Sequence, residues 1–210
     1  MTSFFVCGTD TGVGKTFFTG LLANYFLNNG FSVVTQKWVQ TGSKGFSQDI
    51  LAHLKIMGKS RRYVKGIEDL VCPFSFHYPS SPHFAAELDK RKINIDKIKN
   101  SYRLLSKMFD VVVVEGVGGA LVPLTKKFLL LDLVKELRIP VILVIANKLG
   151  AINHTILTFE AIRSRKLDLC ALIFNSFGSN SPKKIQENNI TTLIRFANLY
   201  FNKKIPHATI

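Results

Sequence analysis

The chain has 210 residues, 47% of them hydrophobic, and 28 lysines and arginines against 14 aspartates and glutamates give a formal net charge of +14. A chain of this length and apolar content buries a substantial core, which excludes disordered and fibrous proteins and predicts a single domain over residues 1–210. The three cysteines form no C-x-x-C pair, which argues against a disulfide framework and a cysteine-ligated zinc site.

The positive charge is spread evenly, because residues 1–105 and 106–210 each carry 14 basic and 7 acidic side chains. The densest basic stretch, residues 90–107, interleaves lysines and arginines with isoleucines and leucines, which is typical of the solvated face of an amphipathic helix. We therefore expect no nucleic-acid partner. We also expect a cytoplasmic protein without membrane association, since no export signal precedes the first strand and no apolar run approaches about 20 residues.

Short apolar runs alternate with amphipathic stretches along the whole chain. Buried strands are predicted at residues 3–7, 31–36, 110–114, 140–145 and 169–174. Helices are predicted at residues 16–29, 48–57, 95–108, 129–137, 153–165 and 190–201. The segment 73–82, rich in proline and aromatic residues, is predicted to be an ordered loop. This alternation favours an α/β fold with a mostly parallel sheet and helices on both faces.

A glycine-rich loop joins the first predicted strand to the first helix. It consists of Gly8, Thr9, Asp10, Thr11, Gly12, Val13, Gly14, Lys15 and Thr16. In this context the glycines let backbone N–H groups surround a phosphate, and the helix N-terminus adds partial positive charge. Lys15 is suited to reach the β- and γ-phosphates and Thr16 to ligate Mg²⁺. Although it is one residue longer than G-x-x-x-x-G-K-[ST], the loop predicts a P-loop NTPase-like fold that binds a nucleoside triphosphate.

Three charged residues are expected near this loop, because ligands of such sheets bind at the carboxyl ends of the strands. Glu115 ends the strand at 110–114 and is a candidate Mg²⁺ ligand, with Asp49 as a second. Lys37 follows the second strand and is suited to stabilise negative charge on a transferred phosphoryl group or an acyl oxygen. For each of the three residues a structural role is the alternative to a role in ligand binding. Glu115 would cap a turn, Asp49 would stabilise the start of a helix, and Lys37 would be a solvated surface charge.

Five motifs in order resemble those of the dethiobiotin synthetase family. They are G-T-D-T-x-V-G-K-T at 8–16, K-P-V-x-T-G at 37–42, A-P-H-x-A-A at 81–86, V-E-G-A-G-G-x-x-V-P-L at 114–124 and L-G-x-I-N-H at 149–154. The second departs at Trp38, which stands where the family has proline, the third at Ser81, where the family has alanine, and the fourth at Val117, where the family also has alanine.

The resemblance implies a homodimeric ATP-dependent ligase of biotin biosynthesis. It forms dethiobiotin, ADP and phosphate from 7,8-diaminononanoate, CO₂ and ATP, through a carbamate and a carbamic–phosphoric anhydride. Implied roles are phosphate or carbamate contact for Thr11, Lys15 and Lys37, Mg²⁺ ligation for Thr16, Asp49 and Glu115, purine contact for Asn175, and substrate contact for Thr41, Gly118, Gly150, Ile152 and Asn153. The last three begin a helix and contact the substrate carboxylate across the dimer interface.

The alternative is a regulatory or partitioning ATPase of the chromosome-segregation type, which shares the sheet. Its loop carries an additional lysine, in K-G-G-x-G-K-[ST], where this chain has Asp10 followed by Thr11. In the dethiobiotin synthetase family a further strand and a final helix contact the nucleotide base, whereas this sequence stops at Ile210. The sequence therefore leaves open the preference between ATP and GTP, the residues that grip the aliphatic chain, the details of the dimer interface, and whether Asp49 ligates Mg²⁺ directly.

Overall fold

The structure, a computed structural model, describes residues 2–210. Its strands are β1 (Thr2–Gly8), β2 (Val33–Lys37), β3 (Val39–Gln40), β4 (Phe74–Ser75), β5 (Val111–Glu115), β6 (Pro123–Thr125), β7 (Phe128–Leu129), β8 (Val141–Ala146), β9 (Leu169–Asn175) and β10 (His207–Thr209). Its α-helices are α1 (Lys15–Asn28), α2 (Gln48–Ile56), α3 (Glu68–Val71), α4 (Pro82–Leu88), α5 (Ile95–Met108), α6 (Leu130–Leu137), α7 (Ala151–Ser164) and α8 (Lys183–Phe201). A 3₁₀ helix spans Arg61–Val64.

The central sheet has the strand order β10-β9-β8-β1-β5-β2, and every neighbouring pair is parallel. Alternate residues of β5 pack into two separate apolar clusters, Val112 and Val114 into one and Val111 and Val113 into the other. Since successive side chains of a strand point to opposite faces, the two clusters lie on the two faces of the sheet. The predicted α/β class, with a parallel sheet covered on both faces, is confirmed.

The parallel arrangement brings the carboxyl ends of the sheet strands to one edge. β1 lies in the middle, with β5 and then β2 on one side and β8 and then β9 on the other. Lys37 of β2 lies directly opposite Glu115 of β5 in the strand register. Two residues predicted from separate motifs are therefore neighbours at the edge where the P-loop begins.

The predicted strands and helices of the main alternation are confirmed, with most ends shifted by one or two residues. The last helix begins at Lys183 rather than at residue 190. The prediction of a loop at 73–82 is wrong in part, because Phe74–Ser75 forms β4, which pairs in parallel with β3.

The C-terminal segment also departs from the prediction, which placed no strand after the last helix. His207–Thr209 forms β10 and pairs with Leu172–Phe174 of β9. All three residues of β10 are exposed, and so short and polar an edge strand carries no apolar pattern to reveal it. Its pairing covers an edge of β9 that would otherwise present unpaired backbone groups.

Within residues 2–210, no helix combines the length and apolar character that crossing a membrane requires.

Candidate active site

The P-loop, residues 8–16, folds tightly between β1 and α1. Gly12 and Gly14 have φ angles of 72° and 101°, in the left-handed region that favours glycine. A β-carbon at Gly8 would lie 2.9 Å from the backbone oxygen of Asp10. Lys15 Nζ donates a hydrogen bond across the loop to that same oxygen at 2.7 Å. The predicted loop residues therefore form one compact turn whose geometry requires its glycines.

Lys15 is a buried cation at the centre of this turn. Burial, and then the positive charge of Lys37, lower the pKa of Lys15 below its ordinary value. An anion placed beside Lys15 would relieve both effects, because it stabilises the ammonium form. The electrostatics of the loop therefore favour a polyanionic ligand such as a triphosphate.

Glu115 is the centre of a buried hydrogen-bond network. Its Oε1 accepts from Thr16 Oγ1 at 2.9 Å and from Lys37 Nζ at 2.8 Å, and its Oε2 lies 2.7 Å from His53 Nε2. Burial alone would raise the pKa of Glu115, but Lys37 and His53 outweigh it and lower the pKa to about 2. Glu115 is therefore a carboxylate near neutral pH, and His53 Nε2 is the donor in the bond that they share.

Lys37 joins this network to a second acid. Its buried ammonium group lies 2.6 Å from Asp49 Oδ2 and donates to the backbone oxygen of Gly116 at 2.9 Å. Burial would lower the pKa of Lys37, but the carboxylates of Glu115 and Asp49 outweigh it and raise the pKa. Lys37 is thus a permanent cation between the two predicted carboxylate ligands of Mg²⁺, rather than the surface charge that was its alternative.

Asp49 reaches Lys37 because the start of α2 is tied to β3. Ser47 caps α2 by accepting a hydrogen bond from Ile50 N at 3.2 Å. Gln40 Oε1, at the end of β3, accepts from Ser47 Oγ at 2.6 Å and from Asp49 N at 3.2 Å. Asp49 is therefore both an acid in the first turn of a helix and a member of the charged cluster.

These groups share one cavity of about 480 Å³. Of the predicted site residues, it is lined by Thr11, Gly12, Gly14, Lys15, Thr16, Lys37, Thr41, Asp49, Glu115 and Gly118. Gly150, Ile152 and Asn153 lie elsewhere, at the N-terminus of α7. Within one chain, the residues predicted to bind phosphate and Mg²⁺ therefore lie together with two of the predicted substrate residues. The residues predicted to bind the substrate carboxylate lie apart from them.

The oxygen donors of this cavity fit a magnesium ion. Thr16 supplies a hydroxyl, and Asp49 and Glu115 supply carboxylates, which is the hard donor set that Mg²⁺ prefers. Within residues 2–210 there is no group of three or more His, Cys, Asp or Glu side chains arranged to hold a metal. Mg²⁺ bound here would therefore depend on Thr16 and on phosphate oxygens as well, as is usual for this ion.

Asn175, predicted to contact a purine, lies against the P-loop on the β9 side. Its Nδ2 donates to Val13 O at 3.0 Å, and its Oδ1 accepts from Phe177 N at 3.0 Å. A β-carbon at Gly14 would lie only 2.4 Å from Nδ2. Asn175 therefore braces the P-loop against the segment that follows β9.

His53 is a site residue that the sequence analysis missed. It is fully buried on α2, four residues after Asp49, so both side chains lie on the same face of the helix. This spacing is the one sequence pattern that connects His53 to the acidic cluster. Its bond to Glu115 fixes the orientation of a carboxylate that also holds Thr16 and Lys37.

Comparison with known proteins identifies related sequences over nearly the whole chain. A family model described as an AAA domain matches residues 2–204. The ATP-dependent dethiobiotin synthetase BioD of Chlorobaculum tepidum is 42% identical over 172 residues, which cover 82% of this chain and 72% of that protein. The ATP-dependent dethiobiotin synthetase BioD 2 of Pasteurella multocida is 38% identical over 204 residues, 97% of this chain and 93% of that protein.

Among solved structures, a ParA family ATPase from Chlorobium tepidum superposes with a TM-score of 0.57, covering 100% of this chain and 85% of that one. The two sequences are 10% identical, so this likeness shows the P-loop NTPase-like fold alone.

His53→Leu should lower the free energy of unfolding by about 1–3 kcal/mol, because Glu115 Oε2 then loses its buried donor. His53→Gln, whose amide can donate in its place, should recover part of that loss. Urea unfolding of both variants tests this, with the exposed His77→Leu as a matched control that should behave as wild type. Equal losses in the Leu and Gln variants would contradict the donor role of His53.

The depressed pKa of Glu115 predicts an acid dependence of stability. Its folded pKa of about 2 lies below the ordinary 4.5, so the stabilisation is complete above pH 4.5 and is lost as the pH falls towards 2. The expected contribution is about 3 kcal/mol. Urea unfolding between pH 6 and 2 should give a flatter profile for the double variant Glu115→Gln/Lys37→Met, which removes both buried charges together. A profile parallel to that of wild type would exclude Glu115 as the source.

Proposed function

The chain belongs to the ATP-dependent dethiobiotin synthetase family, and on that premise we propose that it closes the ureido ring of dethiobiotin from 7,8-diaminononanoate, CO₂ and ATP. One amine of the substrate takes up CO₂ as a carbamate. A carbamate oxygen then attacks the γ-phosphorus, and ADP leaves. The second amine attacks the carbamate carbon, phosphate leaves, and the ring closes. The observation that carries this proposal is the meeting of two buried lysines, Lys15 and Lys37, with Asp49 and Glu115 in one cavity.

The chemistry requires two anions, a carbamate and the γ-phosphate of ATP, to approach each other. Lys15 lies in the loop that surrounds the phosphates, and Lys37 approaches the same cavity from β2. Cations held in a water-poor cavity stabilise negative charge that develops during transfer more strongly than they would in water. We assign Lys15 and Thr11 to the phosphates and Lys37 to the carbamate and the transferred phosphoryl group.

Thr16, Asp49 and Glu115 are proposed to hold Mg²⁺, which when bound would neutralise part of the triphosphate charge. Lys37 contacts both carboxylates, so its position depends on the same two groups. It is a flexible cation with three donors, and it can exchange a carboxylate partner for a phosphate oxygen without losing its charge. The ion pairs around Lys37 therefore hold it ready at the edge of the cavity.

Ring closure joins two groups of the same molecule, so its rate depends largely on how the substrate is held. Thr41 and Gly118 line the cavity and are proposed to contact the diamine and carbamate region. A β-carbon at Gly118 would lie 3.6 Å from Thr11 Oγ1, so the turn after β5 runs directly beside the P-loop.

We propose a homodimer in which Gly150, Ile152 and Asn153 bind the substrate carboxylate in the partner's site. They begin α7, where backbone N–H groups and the helix dipole favour an anion. Leu149 and Leu157, beside or on α7, are 76% and 60% exposed, which suits a face that another subunit covers.

The regulatory or partitioning ATPase remains the second candidate, and the sheet that it shares with this chain is its only support. Asp10 stands at the position of its additional loop lysine, and Thr11 follows. Identity to dethiobiotin synthetases over most of both sequences favours the ligase.

The two functions differ in whether ATP turnover needs the diamine. Phosphate release from MgATP and bicarbonate should rise at least tenfold when 7,8-diaminononanoate is added, and dethiobiotin should form in equal amount. Mass spectrometry of the product and a coupled phosphate assay measure both. Release that ignores the diamine would exclude the synthetase and favour the regulatory ATPase.

Lys37→Ala should lower kcat by about 10²–10³-fold while MgATP still binds, because Lys15 and the loop N–H groups remain. Removing Lys37 also leaves two buried carboxylates unpaired, so the variant should lose stability without metal and regain it with Mg²⁺.

Single-turnover kinetics, nucleotide titration calorimetry and thermal unfolding with and without Mg²⁺ test these outcomes. The exposed Lys204→Ala serves as the control for removal of one positive charge. Loss of MgATP binding in Lys37→Ala would show that Lys37 had been assigned the wrong role.

A further inference from the structure

The densest basic stretch of the sequence is only partly helical. α5 begins at Ile95, so residues 90–92, a Lys-Arg-Lys run, precede it in the connection from α4. The interpretation of this stretch as the solvated face of a helix therefore does not account for these three cations. All three are exposed, and together with Lys126 and Lys127 they line one groove of about 720 Å³.

This groove lies between α4 and the β6–β7 hairpin, which pack against each other. Residues 90–92 line it from the α4 side, and Lys126 and Lys127 line it from the turn of the hairpin. Three buried apolar residues form its floor, Ala86, Ile93 and Leu124. Its volume falls in the range of about 300–1,000 Å³ that is typical of small-molecule sites.

The charge around the groove is strongly unbalanced, because five cations and one acid line it. The acid is Glu87, whose Oε2 lies 3.5 Å from Lys126 Nζ, and both side chains are exposed. Within residues 2–210 the other four cations have no ion-pair partner; Arg91 instead donates to Ser75 O at 2.9 Å. A cleft lined by an excess of one charge concentrates ligands of the opposite charge. The groove therefore favours an anion.

The surface inside the groove is mostly apolar. Lysine and arginine side chains lay their methylene stems along apolar surface and keep the charged ends in water. Above the apolar floor, the stems thus extend the apolar lining, and the charges stand at the rim. A bare inorganic anion would leave this lining in contact with water, whereas an aliphatic chain would cover it. A ligand that matches both properties carries an anionic head group on an aliphatic chain.

We propose that this groove is a second ligand site, which binds an aliphatic chain that ends in a carboxylate or a phosphate. The head group meets the lysines at the rim, and the chain lies along the apolar lining. No residue of the groove lines the cavity that contains Lys15 and Lys37, so the two sites are separate. The proposal goes beyond the proposed function and does not rest on it.

Titration calorimetry on the full chain tests both halves of this ligand. Octanoate or octyl phosphate should bind, and comparison of the two identifies the preferred head group. Acetate, which has no chain, and octylammonium, which has the opposite charge, should not saturate the protein at concentrations that saturate it with the preferred anion. Each methylene added between a four-carbon and an eight-carbon chain should tighten binding about threefold, because it buries further apolar surface.

Removal of two cations tests the location of the site. Lys126→Ala/Lys127→Ala should weaken binding of the preferred eight-carbon anion by about fivefold, since two charge contacts at an exposed rim are lost. The matched control is Lys183→Ala/Lys184→Ala, which also removes two adjacent exposed lysines, one of them paired with a glutamate. It should bind the anion as wild type does. Thermal unfolding shows whether both double variants are folded.

A second variant leaves all the lysines in place. Thr125 lines the groove and is half-buried. Thr125→Glu places a carboxylate inside it, which should abolish binding of the eight-carbon anion by like-charge repulsion and leave MgATP binding unchanged. Thr192→Glu, at a half-buried position of α8, is the control and should bind the anion as wild type does.

Three results would overturn the groove proposal: failure of both eight-carbon anions to bind, equally tight binding of octylammonium, and unchanged binding in either Lys126→Ala/Lys127→Ala or Thr125→Glu. Displacement of the bound anion by 7,8-diaminononanoate would also overturn it, because the anion would then occupy the substrate site. The proposed function stands in each of these cases, since none of them concerns ATP turnover.

Discussion

The site depends on one buried ion pair between neighbouring strands. Lys37 and Glu115 lie opposite each other in the register of β2 and β5, and both are withdrawn from water. Such a pair recovers its desolvation cost only when further hydrogen bonds satisfy both partners. Here Thr16 and His53 supply further hydrogen bonds to the Glu115 carboxylate, and Asp49 is a second partner of the Lys37 ammonium group. The pair therefore connects α1, α2, β2 and β5.

The buried ion pair is better explained by the charges that the site needs than by a contribution to the stability of the fold. An apolar pair of similar size would fill the same space without the cost of removing two charges from water. The network instead keeps a carboxylate ionised, a lysine protonated and a second lysine, Lys15, with a lowered pKa beside a phosphate loop. These opposite shifts are what a site requires if it is to gather anions and still hold a divalent cation.

The site residues that could be predicted from the sequence are those that belong to a pattern of consecutive residues. The P-loop, Glu115 at the end of a valine run and Lys37 after a strand each carry a local pattern, so their meeting followed from the parallel sheet. His53 carries only an i,i+4 relation to Asp49, and Gln40 matters only because α2 returns to it. β10 is three exposed residues whose structure comes from the edge of β9. Tertiary pairing decides such features, and local propensity does not reveal them.

The two sides of β1 differ in the side chains that they bring to the carboxyl edge of the sheet. Charged side chains lie at the ends of β5 and β2, whereas Asn147, which follows β8, accepts a hydrogen bond from the buried Asn189 of α8. The net charge of +14 is too evenly spread to make this distinction, although a basic surface increases encounters with any anion. The charge of the proposed phosphate site thus depends on a few buried groups, Lys15, Lys37 and Glu115, whose surroundings shift their pKa values.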